Sequence, residues 1–406
     1  MVGGGPAGLA CAIAASSEGR AVLLLEKMPR AGLKLLASGS GRCNIASALP
    51  LDSYATRYGD AGRFVSPALR ATDPRELIGF FEKKGVAFVT EGEKIFPASG
   101  KSQTVLDALL DCLRESGAEL RTSAAVSGIR REDDRFLATS GAGIEVSRAL
   151  VIATGGASYP RTGSNGEGWA LASSLGHSIA ETAPALCPII AANWVFASCA
   201  GSSLKNAPIA LRREGKIINR SRGDVLFTHR GLSGPGILDL SRYIKRGDRL
   251  ELSIIDASDA AAVDSLLRRE SAAHGARSAK TIVSALGVQD KLGSALLADL
   301  GIDPAKKAGD LARAERLAIA QRIAAFPVDV QALAGWDEAM ATRGGVSRTE
   351  IEARSMGSRL VPGLFFAGEV IDIDGDTGGF NLQAAFSTGF LAGRSASRFV
   401  ERHAGS

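Results

Sequence analysis

Residues 1–27 read MVGGGPAGLACAIAASSEGRAVLLLEK, and the fold turns on how they are read. Gly3, Gly5 and Gly8 satisfy G-x-G-x-x-G, with Pro6 and Ala7 between the last two glycines. The alanine-rich apolar run 9–15 predicts a helix. Ala21-Val22-Leu23-Leu24-Leu25 predicts a buried strand that ends at Glu26 and Lys27. Seventeen residues lie between Gly8 and Glu26. Glycine turn, helix, strand and terminal acid in this order form the βαβ signature of a dinucleotide site. The glycines let the backbone close on a pyrophosphate, whose charge suits the positive end of the helix. A carboxylate at Glu26 would accept hydrogen bonds from the adenosine ribose. The rival reading is a glycine-rich turn that binds nothing, and the agreement of spacing with the terminal acid weighs against it. Only Met1 and Val2 precede the glycines, where a strand of about five or six residues is usual. The expectation is therefore a misassigned start or a truncated chain, with a weakened central strand and weaker cofactor binding.

Outward from this unit, composition sets the bounds. The chain has 406 residues, too many for one simple core, so two or three domains are expected. With 45% apolar and 22% charged residues it is neither disordered nor fibrous. Glycine contributes 48 residues and aromatics only 5%, which favours an α/β protein with many tight turns and close backbone–ligand approaches. The apolar stretch 185–201 is interrupted by Pro188 and Asn193, and no run reaches the roughly 18 residues of a membrane helix. No basic region opens the chain, so a soluble cytoplasmic protein without a membrane partner is expected. Cys11, Cys43, Cys112, Cys187 and Cys199 form no CxxC pair, and His177, His229, His274 and His403 form no HxxxH. Neither a metal site nor a short-spaced disulfide relay is expected.

Further along, Arg135-Phe136-Leu137-Ala138-Thr139 and Ile144-Glu145-Val146 flank Gly141-Ala142-Gly143 and predict a hairpin. A buried strand, Leu150-Val151-Ile152-Ala153, then runs into Thr154-Gly155-Gly156, an arrangement typical of FAD-binding folds. Alternation returns over 211–227 and 250–255, and helical periodicity dominates 260–325 with a break at Pro304. Residues 363–369 predict another buried strand ending in a turn. Gly378-Gly379-Phe380-Asn381-Leu382-Gln383 then opens an apolar helix through Gly393. The first and last segments thus look like halves of one cofactor domain.

Six blocks carry a family resemblance over nearly the whole chain: GGGPAGL (3–9), LKLLASGSGRCN (33–44), EKIFPASGKSQTV (93–105), ATGGASYPRTGSNGEG (153–168), LFTHRGLSGPGIL (226–238) and GLFFAGEVIDIDGDTGGFNLQAAFSTG (363–389). The chain resembles the bacterial FAD-dependent oxidoreductases of the BaiN/RdsA type, which include a bile-acid enone reductase and a ribosomal RNA dihydrouridine synthase. The resemblance implies an α/β fold, a three-layer Rossmann-like FAD/NAD(P)-binding domain interrupted by an insertion. The segments implied are 1–189 for its first part, 190–256 for a β-barrel-like insertion, 257–345 for a mainly helical one, and 346–406 for its last part. FAD would then be held by Gly3, Gly5, Pro6, Ala7, Gly8, Glu26, Lys27, Lys34, Gly41, Arg42, Asn44, Val126, Thr154, Gly155, Gly156, Gly368, Glu369, Gly378, Gly379, Phe380, Asn381 and Leu382.

Within these blocks, Arg42 would pair with pyrophosphate or stabilise reduced, anionic flavin. Cys43 is either a proton donor for C=C reduction or a small packing residue in a tight loop. Glu369 is expected on the ribitol chain. The helix after Gly378 and Gly379 would direct free N–H groups at the flavin pyrimidine, unless glycine and asparagine merely cap it. His229 and Ser233 either line a substrate cavity or belong to a structural turn leading back to the FAD domain. Tyr159 is a cavity or a packing residue. No second GxGxxG exists, so NAD(P)H is expected as a transient electron donor. Residues 190–345 hold 22 Lys and Arg against 17 Asp and Glu, a surplus equal to the +5 of the whole chain. Arg212-Arg213-Lys216-Arg220-Arg222 and Arg242-Lys245-Arg246-Arg249 are its local clusters, suited to RNA phosphates or simply solvated.

The expected activity is reduction of an activated C=C bond, with uridine in large-subunit ribosomal RNA as the favoured substrate. A small-molecule enone reductase or amine oxidase is the alternative, and a flavin-binding protein without turnover is the alternative of another class. The choice of NADH or NADPH and the oligomeric state stay open.

Overall fold

A computed structural model describes residues 1–257 and 259–403; Ser258 and residues 404–406, which fall in the last two segments drawn above, lie outside the described residues. The chain forms two compact units, Met1–Ala185 with Trp336–Ser406, and Leu186–Gly335.

In the first unit a parallel sheet carries everything else. Leu23–Leu25 pairs with Glu119–Arg121, and Leu150–Ile152 pairs with Leu364–Phe366. Val2 bridges Leu25 on one side and Ile152 on the other, so the two pairs make one sheet. The Val2 N–H donates to the Val151 carbonyl at 2.9 Å and the Gly3 N–H to that of Leu25 at 2.8 Å. The central strand is as short as the sequence implies, yet it is hydrogen-bonded on both edges. Both Leu150–Ile152 and Leu364–Phe366 are buried throughout, as parallel strands covered on both faces must be.

Two apolar clusters flank this sheet. One gathers Leu9, Leu24, Leu106, Leu109 and Phe386 from the helices Pro6–Ser17, Ser102–Glu115 and Phe380–Arg402 and the strand between them. The other joins Val151 and Ile152 to Ile129, Phe136 and Leu171. Its outer part is the antiparallel meander Val126–Glu132, Arg135–Ser140 and Gly143–Ser147.

Helix Pro6–Ser17 has no charged side chain and is buried from Ala7 to Ser16, so it is a core helix rather than an amphipathic one. Its neighbour is the last helix, and the contact is backbone against backbone. A Cβ on Gly389 would lie 2.4 Å from the Ala7 carbonyl oxygen, and one on Gly393 would lie 2.3 Å from that of Cys11.

The second unit is built on a closed six-stranded barrel. Its order is Ile189–Ala191, Gly231–Ser233, Lys216–Phe227, Ser203–Arg213, Arg249–Leu252 and Phe326–Leu333, the last pairing back onto the first. Helices Ala260–His274, Ala279–Ala285, Asp290–Asp299 and Arg313–Ala324 are inserted before the final strand. Phe196, Phe227 and Phe326 meet edge-on inside the unit.

The boundaries differ from those drawn on the sequence. Phe326–Leu333, assigned to the helical piece, is a barrel strand, and Ala341–Val346 pairs with Ile179–Ala185 in the first unit. The chain rejoins the first unit at Trp336, not at 346. The strand alternates buried and exposed residues, but Pro327 sits in it, and proline inside an apolar run argues against a strand.

Candidate active site

The glycine turn is shaped by three different constraints. Gly3 has φ +103°, and a Cβ there would lie 2.5 Å from the Ala153 carbonyl oxygen. A Cβ on Gly8 would lie 1.8 Å from the Gly3 carbonyl oxygen, so the helix can start this close to the sheet only without a side chain. At Gly5 nothing lies within 4 Å of the missing Cβ. Gly5 caps the helix, Pro6 occupies its first turn, and that turn carries no acidic residue. The first intrahelical bond runs from the Leu9 N–H to the Gly5 carbonyl, which leaves the Ala7 and Gly8 N–H groups facing outward for an anion.

Glu26 is nearly buried and anchors this turn. Its Oε2 accepts from the Gly4 N–H at 2.6 Å and its Oε1 from the Met28 N–H at 2.7 Å. Each oxygen keeps a lone pair for a ribose hydroxyl. The Ala124 N–H donates to the Glu26 carbonyl at 2.8 Å, which brings Val126 and the start of the meander alongside. Lys27 is turned elsewhere, with its ammonium on Asn165 Oδ1 at 2.8 Å and Glu167 Oε2 at 2.9 Å.

Thr154, Gly155 and Gly156 follow the strand Leu150–Ile152. The Thr154 hydroxyl is buried without a hydrogen-bond partner, a donor left over by the protein's own structure. A Cβ on Gly156 would lie 2.3 Å from Thr342 Oγ1 and 3.2 Å from the Glu369 carboxyl carbon. The open space at Gly5, the unopposed helix end, the carboxylate of Glu26 and the orphan hydroxyl of Thr154 together fit a dinucleotide such as FAD.

Segment 38–44 is conformationally strained. Gly39, Ser40, Gly41 and Cys43 all have positive φ, between 55° and 85°. Arg42 lies 4.2 Å over the Phe96 ring and pairs with Glu91, so its guanidinium is held away from a free anion role. Of the two readings of Cys43, the structure bears on its accessibility. It is fully buried with Leu9, Leu35 and Ile45, and burial pushes its thiol up to about 12, an effect the neighbouring Ser38 offsets only in part. A side chain with no access is badly placed to hand a proton to a substrate, and its burial favours the packing reading. Asn44, with its amide turned to satisfy both ends, accepts from the Gly379 N–H at 3.0 Å and donates to the Ala46 carbonyl at 3.0 Å.

That bond ties the loop to the start of the last helix. Gly379 has φ +97°, and a Cβ would collide with the Ala46 carbonyl. Phe380 sits edge-on to Tyr54 and Tyr58, at 5.0 and 6.1 Å between ring centres. Asn381 folds the preceding turn, its Oδ1 accepting from the Gly375 N–H and its amide donating to the Gly375 carbonyl, both at 2.9 Å. Leu382 packs on the Leu9 cluster. The first main-chain bond is from the Gln383 N–H to the Gly379 carbonyl, so the N–H groups of residues 380–382 remain available.

Lys34 and Glu369 form an ion pair, and the Lys34 ammonium also donates to Ser158 Oγ at 2.6 Å. Glu369 further accepts from the Thr342 N–H at 2.7 Å. Gly368, with φ +74°, turns the chain here against Ala7. Sequence reasoning missed Ser158 and Thr342. Thr342 lies in a stretch assigned to the helical insertion and follows no motif, so nothing local announces it.

The HI0933-like protein Rossmann domain, as a family, matches residues 1–395 of the sequence. The chain belongs to this family. It is 28% identical over 405 residues to the 3-dehydro-bile acid delta(4,6)-reductase of Clostridium scindens, covering 98% of both chains. It is also 28% identical over 395 residues to the ribosomal RNA dihydrouridine synthase of Escherichia coli, covering 96% of this chain and 95% of that one. The solved quinol fumarate reductase of E. coli shares the fold, with a TM-score of 0.51 and 16% identity over 99% of this chain and 70% of the other. The flavoprotein Rossmann fold supports a flavin cofactor in this HI0933-like chain.

In the second unit the HI0933-like chain departs from two expectations. Gly231–Ser233 is a barrel strand and Pro235–Ser241 a helix of the same unit, so block 226–238 does not lead back to the FAD domain. Among the described residues the His229 ring makes no hydrogen bond. It is exposed on a turn whose bonds are made by Thr228, which donates its N–H at 2.8 Å and its hydroxyl at 3.0 Å to the Gly231 carbonyl. The basic clusters are mostly paired. Arg212 meets Glu251 at 2.6 Å, Arg213 meets Asp248 at 2.8 Å, Arg222 meets Asp256 at 3.0 Å and Arg249 meets Asp329 at 2.6 Å. Lys216, Arg220 and Arg246 stay exposed, with no acidic partner among the described residues. Tyr159 has φ +55° and is half-buried, its N–H donating to the Trp336 carbonyl at 3.0 Å. Among the described residues no helix is long and apolar enough to cross a membrane.

Proposed function

We propose that this HI0933-like chain is a cytoplasmic FAD-dependent oxidoreductase that reduces an activated C=C bond. The observation that carries the reading is full-length similarity to two enzymes whose names denote saturation of such bonds in unrelated substrates. FAD, when bound and reduced, supplies the hydride. The chain's own contributions are the helix end at residues 6–8 for the diphosphate, Glu26 for the ribose, and the N–H groups of residues 380–382 for charge developing on the flavin pyrimidine. NAD(P)H is the proposed electron donor, visiting the flavin transiently. His229 is the proposed proton donor, because its ring is exposed and the bonds of its turn are made by other groups.

Uridine in large-subunit ribosomal RNA is the proposed substrate, supported by the similarity to the dihydrouridine synthase and by the surplus of cations over residues 190–345. The deciding measurement is mass spectrometry of dihydrouridine in that RNA, with the gene deleted and restored. Loss and return of one modified position supports an RNA reductase. An unchanged pattern removes the RNA reading and points to a small conjugated enone, a reading favoured by the acids that already neutralise Arg212, Arg213, Arg222 and Arg249. Turnover of an enone panel by the reduced flavoprotein then becomes the test.

A further inference from the structure

Three separate segments of the first unit converge on one carboxylate. Glu369, in the turn Gly368–Val370, accepts from the Thr342 N–H at 2.7 Å, the Gly156 N–H at 3.3 Å and the Ser158 hydroxyl at 3.4 Å. Its fourth partner is the ammonium of Lys34, from the short helix Leu33–Ala37. Ser158 and Thr342 are fully buried, and the Lys34 and Glu369 side chains are only 24% and 19% exposed. Thr342 Oγ1 in turn accepts from the Ala157 N–H at 2.9 Å and the Ser158 N–H at 3.3 Å. The carboxylate is therefore already saturated by protein donors, which leaves little capacity for the ribitol hydroxyls it was expected to bind.

Electrostatics explains why the lysine is there. FAD brings a diphosphate, and two-electron reduction adds negative charge on the ring. A partly buried carboxylate in the same cradle would repel both, and screening by water is weak at such a position. We propose that Lys34 is a positioning residue that cancels the charge of Glu369 and fixes its carboxylate, so that the cradle accepts an anionic cofactor. This rests on the flavin reading above. Under it Glu369 organises the Gly156 turn and Thr342, and Lys34 acts through Glu369 rather than on FAD itself.

A double-mutant cycle on apoprotein titrated with FAD, read by flavin fluorescence, separates the two roles of the lysine. Lys34→Met leaves Glu369 unpaired, and FAD affinity should fall about 10- to 100-fold. Reduced FAD should lose more than oxidised FAD, which moves the midpoint potential to more negative values. Glu369→Gln added to Lys34→Met should restore most of the missing affinity, because the uncompensated charge is gone. Lys34→Arg keeps the charge and should bind FAD within a few fold of wild type, with an unchanged melting temperature of the apoprotein. A double variant as weak as Lys34→Met would mean that the ammonium touches FAD directly, and would overturn the proposal. An unshifted potential in Lys34→Met would do the same. Failure of wild-type apoprotein to bind FAD would instead remove the flavin reading itself, and the proposal with it.

Discussion

Two glycines of one turn, Gly3 and Gly5, respond oppositely to an added methyl group. Gly3→Ala meets the Ala153 carbonyl at 2.5 Å from a left-handed backbone, so it should destabilise the apoprotein by about 1–3 kcal/mol or more. Gly5→Ala enters empty space at φ −78°, so its melting temperature should stay within the change expected of about 0.5 kcal/mol. FAD affinity should nonetheless fall for Gly5→Ala, because the methyl occupies the room left for a ligand. Thermal melting and FAD titration of both variants check this, and equal effects on the two would deny Gly5 its role. Cys43→Ala should leave turnover intact, since a buried thiol pushed up to about 12 takes no part in proton transfer. A large loss of kcat would restore it as an acid. At this scale the sequence was informative where a residue type answers one local demand, as glycine does at 3, 5 and 8 or an acid at 26. It was silent on Lys34 and Glu369 as partners, because 335 positions separate them and only the folded sheet brings them together.

Among the elements, the packing of the first helix on the last is the most sensitive. Gly389 and Gly393 let the carbonyls of Ala7 and Cys11 approach directly, and no side chain fits between. Gly389→Leu should separate the helices, displace the helix end at residues 6–8 and lower both melting temperature and FAD affinity. Retained FAD affinity in a destabilised variant would show that the two are not coupled. In the inserted helices Asp264 is buried and links Ala260–His274 to Arg313–Ala324 through Arg316 at 2.7 Å, with Arg268 as second partner. Burial pushes its carboxyl up, but the hydrogen bonds from Arg316 and Arg268 outweigh it and hold it below the ordinary range. A lowered value means that the pair stabilises above the unfolded carboxyl range and that this stabilisation disappears as pH falls through the lower folded value. Urea midpoints measured from neutral pH into the acid range should therefore decline less steeply in Asp264→Asn, which starts lower. Parallel declines would remove Asp264 from the acid response. Helical periodicity located these helices, whereas the barrel strand that follows them escaped notice because Pro327 imitates a break.

For the molecule as a whole, charge must be counted after pairing. Arg212, Arg213, Arg222 and Arg249 are committed to acids, so their replacement should weaken the barrel before it weakens any RNA binding. Lys216→Ala with Arg220→Ala should instead reduce RNA affinity and lower the slope of log K against log salt by about 0.7–0.9 for each phosphate no longer neutralised. Filter binding across a salt series reads this directly, and an unchanged slope would exclude these two side chains from an RNA interface. The net charge of +5 was legible in the sequence, but which cations remain uncommitted is a property of strand register. The glycine-lined packing of the terminal helices also has a consequence in time. Between Ser17, where the first helix ends, and Phe380, where the last begins, the ribosome must add 362 residues. At about 5–20 residues per second this is a wait of roughly 20–70 s, during which an uncharged helix lacks its partner. Flavin capture then becomes a late event of synthesis, and a nascent chain stopped before the last helix should need a chaperone more than it needs its cofactor.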